Sequence, residues 1–294
     1  MAHMVNDDFS LFDVAPGRTL GPYKIERPHR SSGFASVLEA REEPNGARVE
    51  LSVFPSAMFD GLAQSKSFAS LLDSWRQMSC SHVLRVREVK LVGNGNVLVA
   101  CDYPPGRTLR AWLEEHRRME AGALVELGQQ LLDGAIEIHR QGLIHGDIKP
   151  STIFVAERKG RGGLHAILVD GGVTAGLWNA KHLGDRTALI GTPFYAPVEQ
   201  FGGESPDVRS DVYNIATVMF ELATGVLPWP GKSLLEVFQA KLDKRAPSMQ
   251  QRAPGVTVPA QLERVILAGL MADRKDRYAT AEQFKAALNS VPTS

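Results

Sequence analysis

The chain has 294 residues, 44% of them apolar and 22% charged, a mix that supports a large packed core and excludes wholesale disorder. Lysine plus arginine equals aspartate plus glutamate at 33 each, so no bulk field gathers nucleic acid or anionic lipid. The two cysteines, Cys80 and Cys101, lie in apolar stretches and read as reduced thiols of a cytoplasmic protein, and no run approaches the ~18 apolar residues of a membrane span.

Residues 1–20 read as a cloning scar (Met1-Ala2-His3-Met4) and a flexible lead-in without a clear period. Strand-like patterning then runs to Asp102. Strands are expected from Tyr23, around Ser36-Val37-Leu38, across Val49-Glu50-Leu51-Ser52-Val53-Phe54, and over 84–92 and 97–102. Pro44-Asn45-Gly46 and Gly93-Asn94-Gly95-Asn96 supply hairpin turns. Phe68, Leu71, Leu72 and Trp75 place one helix over 66–78. Tyr103-Pro104-Pro105-Gly106 reads as a hinge.

Helices dominate beyond it. Leu124, Leu127, Leu131, Leu132, Ala135 and Ile138 stripe a long one. Residues 212–223 are apolar at nine of twelve positions and should be buried nearly all round. Amphipathic helices are expected over 232–243, 259–272 and 279–289, the last with Thr280 as cap and Gln283 completing a capping box.

The stretch His145-Gly146-Asp147-Ile148-Lys149-Pro150-Ser151-Thr152 resembles the catalytic loop of protein kinases, H-R-D-L-x-x-x-N. Val169-Asp170-Gly171-Gly172 resembles the D-F-G metal motif. Gly191-Thr192-Pro193-Phe194-Tyr195 resembles the substrate-side loop of bacterial Ser/Thr protein kinases, the Hanks-type family. The resemblance covers roughly residues 20–290 and implies an α+β, bilobal protein-kinase-like fold. A small antiparallel sheet with one helix would occupy 21–103, and a larger, mainly helical lobe 104–291.

Carried over residue by residue, the resemblance makes Asp147 the acceptor of the substrate hydroxyl's proton. Lys149 would steady the transferred phosphoryl group, and Asp170 and Thr152 would be the magnesium ligands. His145, Thr192, Glu199, Asp211 and Arg277 take structural places. Taken singly these are ordinary: an Asp before Lys-Pro is usually a turn residue, and Glu199, Asp211 and Arg277 would serve as buried ties in any case.

The departures cluster on the nucleotide side. Arg30, Ser32 and Ala35 fill the three glycine positions ahead of Val37. In the strand that reads V-A-I-K in the family, Glu50 replaces the alanine beside adenine and Ser52 the phosphate-gripping lysine. The alternation puts both on the nucleotide face, since a one-residue slip would turn Val49, Leu51 and Val53 out of the core. Leu71 replaces the lysine's glutamate partner. Asp102 follows the gatekeeper Cys101, and Pro104 lacks the N–H that would meet adenine. Gly146 removes the arginine that receives an activation-loop phosphate.

These losses imply a pseudokinase that acts as a regulatory or scaffolding protein-interaction module, with no cofactor expected beyond weak ATP and magnesium. The alternative is an unconventional, low-activity Ser/Thr protein kinase drawing a cation from Arg30, Lys24 or Arg41. Partners implied are proteins, an active kinase or a phosphopeptide-binding domain, with Thr187 as the phosphosite. Nucleic acid and membrane contacts are not expected.

Overall fold

The computed structural model describes residues 14–30, 32–158, 160, 162–180, 193–243 and 245–292. They form two compact units, one made of the described residues up to Ser79 with Leu84–Pro104 and 179–180, the other of Cys80–Val83, Pro105–Trp178 and the described residues from 193 on. The first is an antiparallel sheet with one α-helix and the second is mainly helical, the α+β division that the sequence suggests.

The strands of the first unit are β1 (Thr19–Leu20), β2 (Tyr23–Arg30), β3 (Ser36–Glu42), β4 (Ala47–Phe54), β5 (Val86–Val92) and β6 (Asn96–Asp102). Their order is β1-β2-β3-β4-β6-β5, with every neighbour antiparallel. β1 lies inside the stretch read as a flexible lead-in; two residues are too few to show a period, and pairing with Tyr23 and Lys24 fixes them. The β3–β4 hairpin closes through the Gly46 amide on the Glu42 carbonyl at 2.8 Å, with Gly46 at φ +69°. Val49, Leu51 and Val53 enter one core with Tyr23, Ile25, Leu38 and Ala40, which sends Glu50 and Ser52 to the opposite face. Helix α1 (Leu62–Asp73) begins a turn earlier than expected and tightens into a 3-10 turn over Ser74–Gln77. The buried residues Ser65, Phe68 and Leu72 at i, i+3 and i+7 set its inner face, and Trp75 is buried from the tightened turn.

The second unit holds α2 (Leu109–His116), α3 (Ala121–Arg140), α4 (Val173–Ala180), α5 (Val198–Phe201), α6 (Val208–Thr224), α7 (Leu234–Lys241), α8 (Met249–Arg252), α9 (Ala260–Gly269) and α10 (Ala281–Asn289). A three-stranded sheet, β7 (Arg107–Thr108), β8 (Ile153–Glu157) and β9 (Leu164–Leu168), packs on α3 through β9. α6 is its axis. Every residue from Ser210 to Thr224 is buried, as the apolar run requires, and α3, α9 and α10 pack around it. Asp207 caps its start by accepting from the Arg209 and Ser210 amides, and Gly225 in the left-handed region ends it. At Gly128, α3 comes so close to α6 that an added Cβ would lie 2.7 Å from Met219 Cε. Thr280 caps α10, while the Gln283 side chain takes the Ala279 amide, so the expected capping box is only half made. Among the described residues no helix is long and apolar enough to cross a membrane.

Candidate functional site

In the second unit a single carboxylate shapes the catalytic-like loop. Asp211, fully buried on the first turn of α6, accepts from the backbone amides of His145 at 2.9 Å and Gly146 at 2.8 Å, and from His139 Nε2 at 2.9 Å. Burial alone would raise its pKa; these bonds and the neighbouring histidines hold it below the ordinary carboxylate range. His145 is itself buried, which lowers its pKa, and its Nε2 lies 3.0 Å from the Val169 carbonyl oxygen. Asp147 and Lys149 are joined by an ion pair between Oδ2 and Nζ.

Thr152 closes the loop from the other end. Its hydroxyl lies 2.8 Å from the Asp147 carbonyl oxygen and accepts from the Lys149 amide at 3.1 Å. The magnesium role implied by the resemblance therefore rests on a hydroxyl already used inside the loop. Asp170 follows β9 with φ +60°. Among the described residues no group of three or more His, Cys, Asp or Glu side chains could hold a metal ion. Asp170 and the Thr152 hydroxyl are the oxygen donors that the resemblance offers to magnesium, which is usually held by one or two protein oxygens together with substrate phosphates.

Gly146 adopts φ +82°, and a Cβ there would meet Ala175 N of α4 at 3.2 Å and Pro206 Cγ at 3.3 Å. The position given to arginine in the family is thus shaped for glycine. Downstream, Glu199 and Arg277 form a two-bond ion pair at 2.7 and 2.9 Å, and Arg277 also donates to the Met271 and Ala272 carbonyls. Thr187 and Thr192 lie outside the described residues.

In the first unit, Glu50 is 2% exposed at the position that the resemblance gives to alanine. Arg30 donates to it through Nε at 2.9 Å and Nη2 at 2.8 Å, and His29 Nδ1 lies 2.7 Å from Oε2. Burial would raise the Glu50 pKa, but the His29 and Arg30 hydrogen bonds hold it below the usual range. Ser52, Val37 and Arg30 form one lateral row across three strands. The next row sets Glu39 directly opposite Glu50. Two carboxylates in that arrangement repel, and the sheet tolerates them because each has its own cations. Glu39, 3% exposed, takes Arg27 and Arg48 at 2.8 Å each and the Tyr103 hydroxyl at 3.2 Å.

Arg48 lies 3.8 Å over the Tyr103 ring, and His29 packs 4.8 Å from the same ring. Of the three replacement cations suggested by the sequence, Arg30 is committed to Glu50, and Arg41 bonds Glu26 and the Gly46 carbonyl. Lys24 is exposed. Asp102 is held by Arg87 at 2.5 Å, and Pro104 is buried.

Sequence reasoning passed over Glu39, His29, Arg48 and Tyr103, although Glu39 shares a face with Val37 by alternation. It also missed a cluster in the second unit, where the buried Tyr195 hydroxyl and Arg110 both reach Glu221 of α6.

The protein kinase domain family matches residues 32–288. Among curated relatives, the serine/threonine-protein kinase pkn3 of Myxococcus xanthus is 27% identical over 282 residues, covering 95% of this chain and 52% of that protein. Serine/threonine-protein kinase Pkn1 of the same organism is 33% identical over 291 residues, covering 94% and 39%. The chain thus spans about half the length, or less, of these relatives. Among solved structures, the PknI kinase domain of Mycobacterium tuberculosis superposes with a TM-score of 0.69 at 20% identity, covering 94% of this chain and 98% of that one.

Proposed function

The chain belongs to the protein kinase family, and from that premise we propose that it is a Ser/Thr-kinase-type domain with negligible phosphotransfer, serving as a regulatory or scaffolding module for protein partners in the cytoplasm. The observation that carries this reading is Glu50. A buried carboxylate, neutralised by Arg30 and His29, occupies the strand position beside adenine, and Ser52 stands where the phosphate-gripping lysine belongs. Glu50 and its partners fill the face beside adenine with a closed polar cluster, and Ser52 offers no ammonium to the phosphates. Loss of one phosphate-stabilising partner commonly removes several kcal/mol of transition-state stabilisation, and here the lysine and the asparagine metal ligand are both replaced.

A second reading, a low-activity kinase, is favoured by the Asp147–Lys149 pair and by the Asp211 bonds that set the loop backbone. Incubating purified protein with labelled ATP and Mg²⁺ or Mn²⁺, beside Asp147→Asn, separates the two. The pseudokinase reading expects background transfer in both proteins, and the size of any rise in melting temperature at millimolar ATP reports how much nucleotide binding remains. Transfer that depends on Asp147 would overturn it.

A further inference from the structure

Segment 194–196, immediately before α5, belongs to no strand or helix, yet its carbonyls are not left to water. Lys241, the last residue of α7 and 1% exposed, donates from Nζ to the carbonyl oxygens of Phe194 at 3.0 Å and Ala196 at 2.6 Å. The carbonyl between them, Tyr195 O, accepts from Asn214 Nδ2 of α6 at 2.8 Å. Three successive carbonyls are therefore tied by buried side chains of α6 and α7.

We propose that Lys241 is the positioning residue for segment 194–196, and that it works as a latch which closes when its ammonium gives up a proton. Phe194 and Tyr195 fall in the part of the chain that resembles the substrate-side loop of Ser/Thr kinases, so the latch fixes the buried base of that loop, with only Phe194 partly exposed. The inference rests on family membership alone and is indifferent to whether phosphate is transferred.

Burial beside the Arg277 charge weighs against a charge on this amine. Glu199, the carboxylate whose charge acts on it, is engaged by Arg277 through two bonds, and among the described residues Lys241 forms no salt bridge of its own. The other titratable neighbour is Tyr213 of α6, whose hydroxyl accepts from Trp229 Nε1 at 2.6 Å. Two carbonyl acceptors match the two N–H bonds of a neutral amine. Beyond the two carbonyls, Nζ lies over the Tyr213 and Phe201 rings, with centroids 5.1 and 5.8 Å away, faces that attract an ammonium more weakly than a carboxylate would. Burial, reinforced by the charge of Arg277 and opposed by Glu199, lowers the Lys241 pKa to about 7.

The sign follows from proton linkage. A released segment exposes Lys241 to water and returns it to the ordinary lysine range, so the open form binds more protons than the closed one. Raising the pH from about 7 towards about 10 therefore closes the segment, by roughly tenfold in the opening constant per pH unit. Below about pH 7 both forms are protonated and the dependence vanishes.

Amide hydrogen exchange of residues 194–201 in the intact protein, corrected for the intrinsic rate, reads this constant between pH 7 and 9.5. Wild-type protection should rise about tenfold per pH unit, and Lys241→Arg, whose charge cannot be lost, should show a flat profile at a similar fold content. Should the arginine fail to fold, the wild type decides: a flat profile overturns the latch, as does an identical slope in a folded Lys241→Arg. Neither result touches the phosphotransfer question, which the labelled-ATP assay answers separately.

Discussion

Asp211 in the second unit and Glu50 in the first are both buried carboxylates held below their ordinary range, yet they hold different things. Asp211 grips backbone, the His145 and Gly146 amides, and so dictates the path of a loop. Among the described residues Glu50 grips side chains, those of Arg30 and His29, rather than backbone amides. The retained charges of the helical unit build the fold. Those of the sheet pair with one another across the face that carries Glu50 and Glu39. Retention of motif residues is therefore poor evidence of activity where the same residues are scaffold.

Asp211→Ala gives the harshest test of this contrast. It strands two buried amides and the His139 ring nitrogen, and the loss should be about 3–5 kcal/mol, on the order of 10 °C in melting temperature by calorimetry. A loss under about 1 kcal/mol would mean that Asp211 holds the loop no more firmly than water does.

Glu50→Ala should cost less, about 2–3 kcal/mol, because Arg30 and His29 keep some exposure through which to rehydrate. Replacing Glu50 and Arg30 together by leucine should recover most of it, since the pair is dispensable once both charges leave. A double variant no better than the single would show the network to be scaffold after all, and would erase the distinction from Asp211.

Acid titration probes both carboxylates at once. Each has a folded pKa below its unfolded value, so each contributes stability above about pH 4 that drains away as the pH falls through the folded value. In Glu50→Gln the share owed to Glu50 is gone, so its stability should fall less steeply below pH 4 than that of the wild type, by urea denaturation at each pH. Equal slopes would show that Glu50 does not carry that share.

Much of this architecture was legible in the chain. The run over 212–223 announced a helix with no wet side, and alternation through Val49, Leu51 and Val53 fixed which face carries Glu50 and Ser52. What alternation cannot supply is the neighbour on the next strand. Glu39 faces Glu50 because of the hairpin register, and His29 reaches it through irregular pairing between Pro28 and Arg30. Lys241 was hidden for the same reason. In an amphipathic helix a terminal lysine reads as a solvated end, and only a segment 45 residues earlier in the chain reveals it as buried.

The smallest effect concerns Gly146, and it asks whether the loop could accept a side chain at the position that the family gives to arginine. Its φ of +82° costs an ordinary residue about 1–2 kcal/mol, and the neighbours leave a new Cβ only 3.2 Å from Ala175 N and 3.3 Å from Pro206 Cγ. The Pro206 ring can yield by a few tenths of an ångström, whereas the Ala175 amide sits in the first turn of α4 and must carry the helix with it. Gly146→Ala should therefore lose about 1–2 kcal/mol, a few degrees in melting temperature, although it adds a single methyl group. A neutral or stabilising alanine would mean that the loop and α4 relax freely. The glycine would then be an incidental loss of the family's arginine, with no conformational requirement behind it.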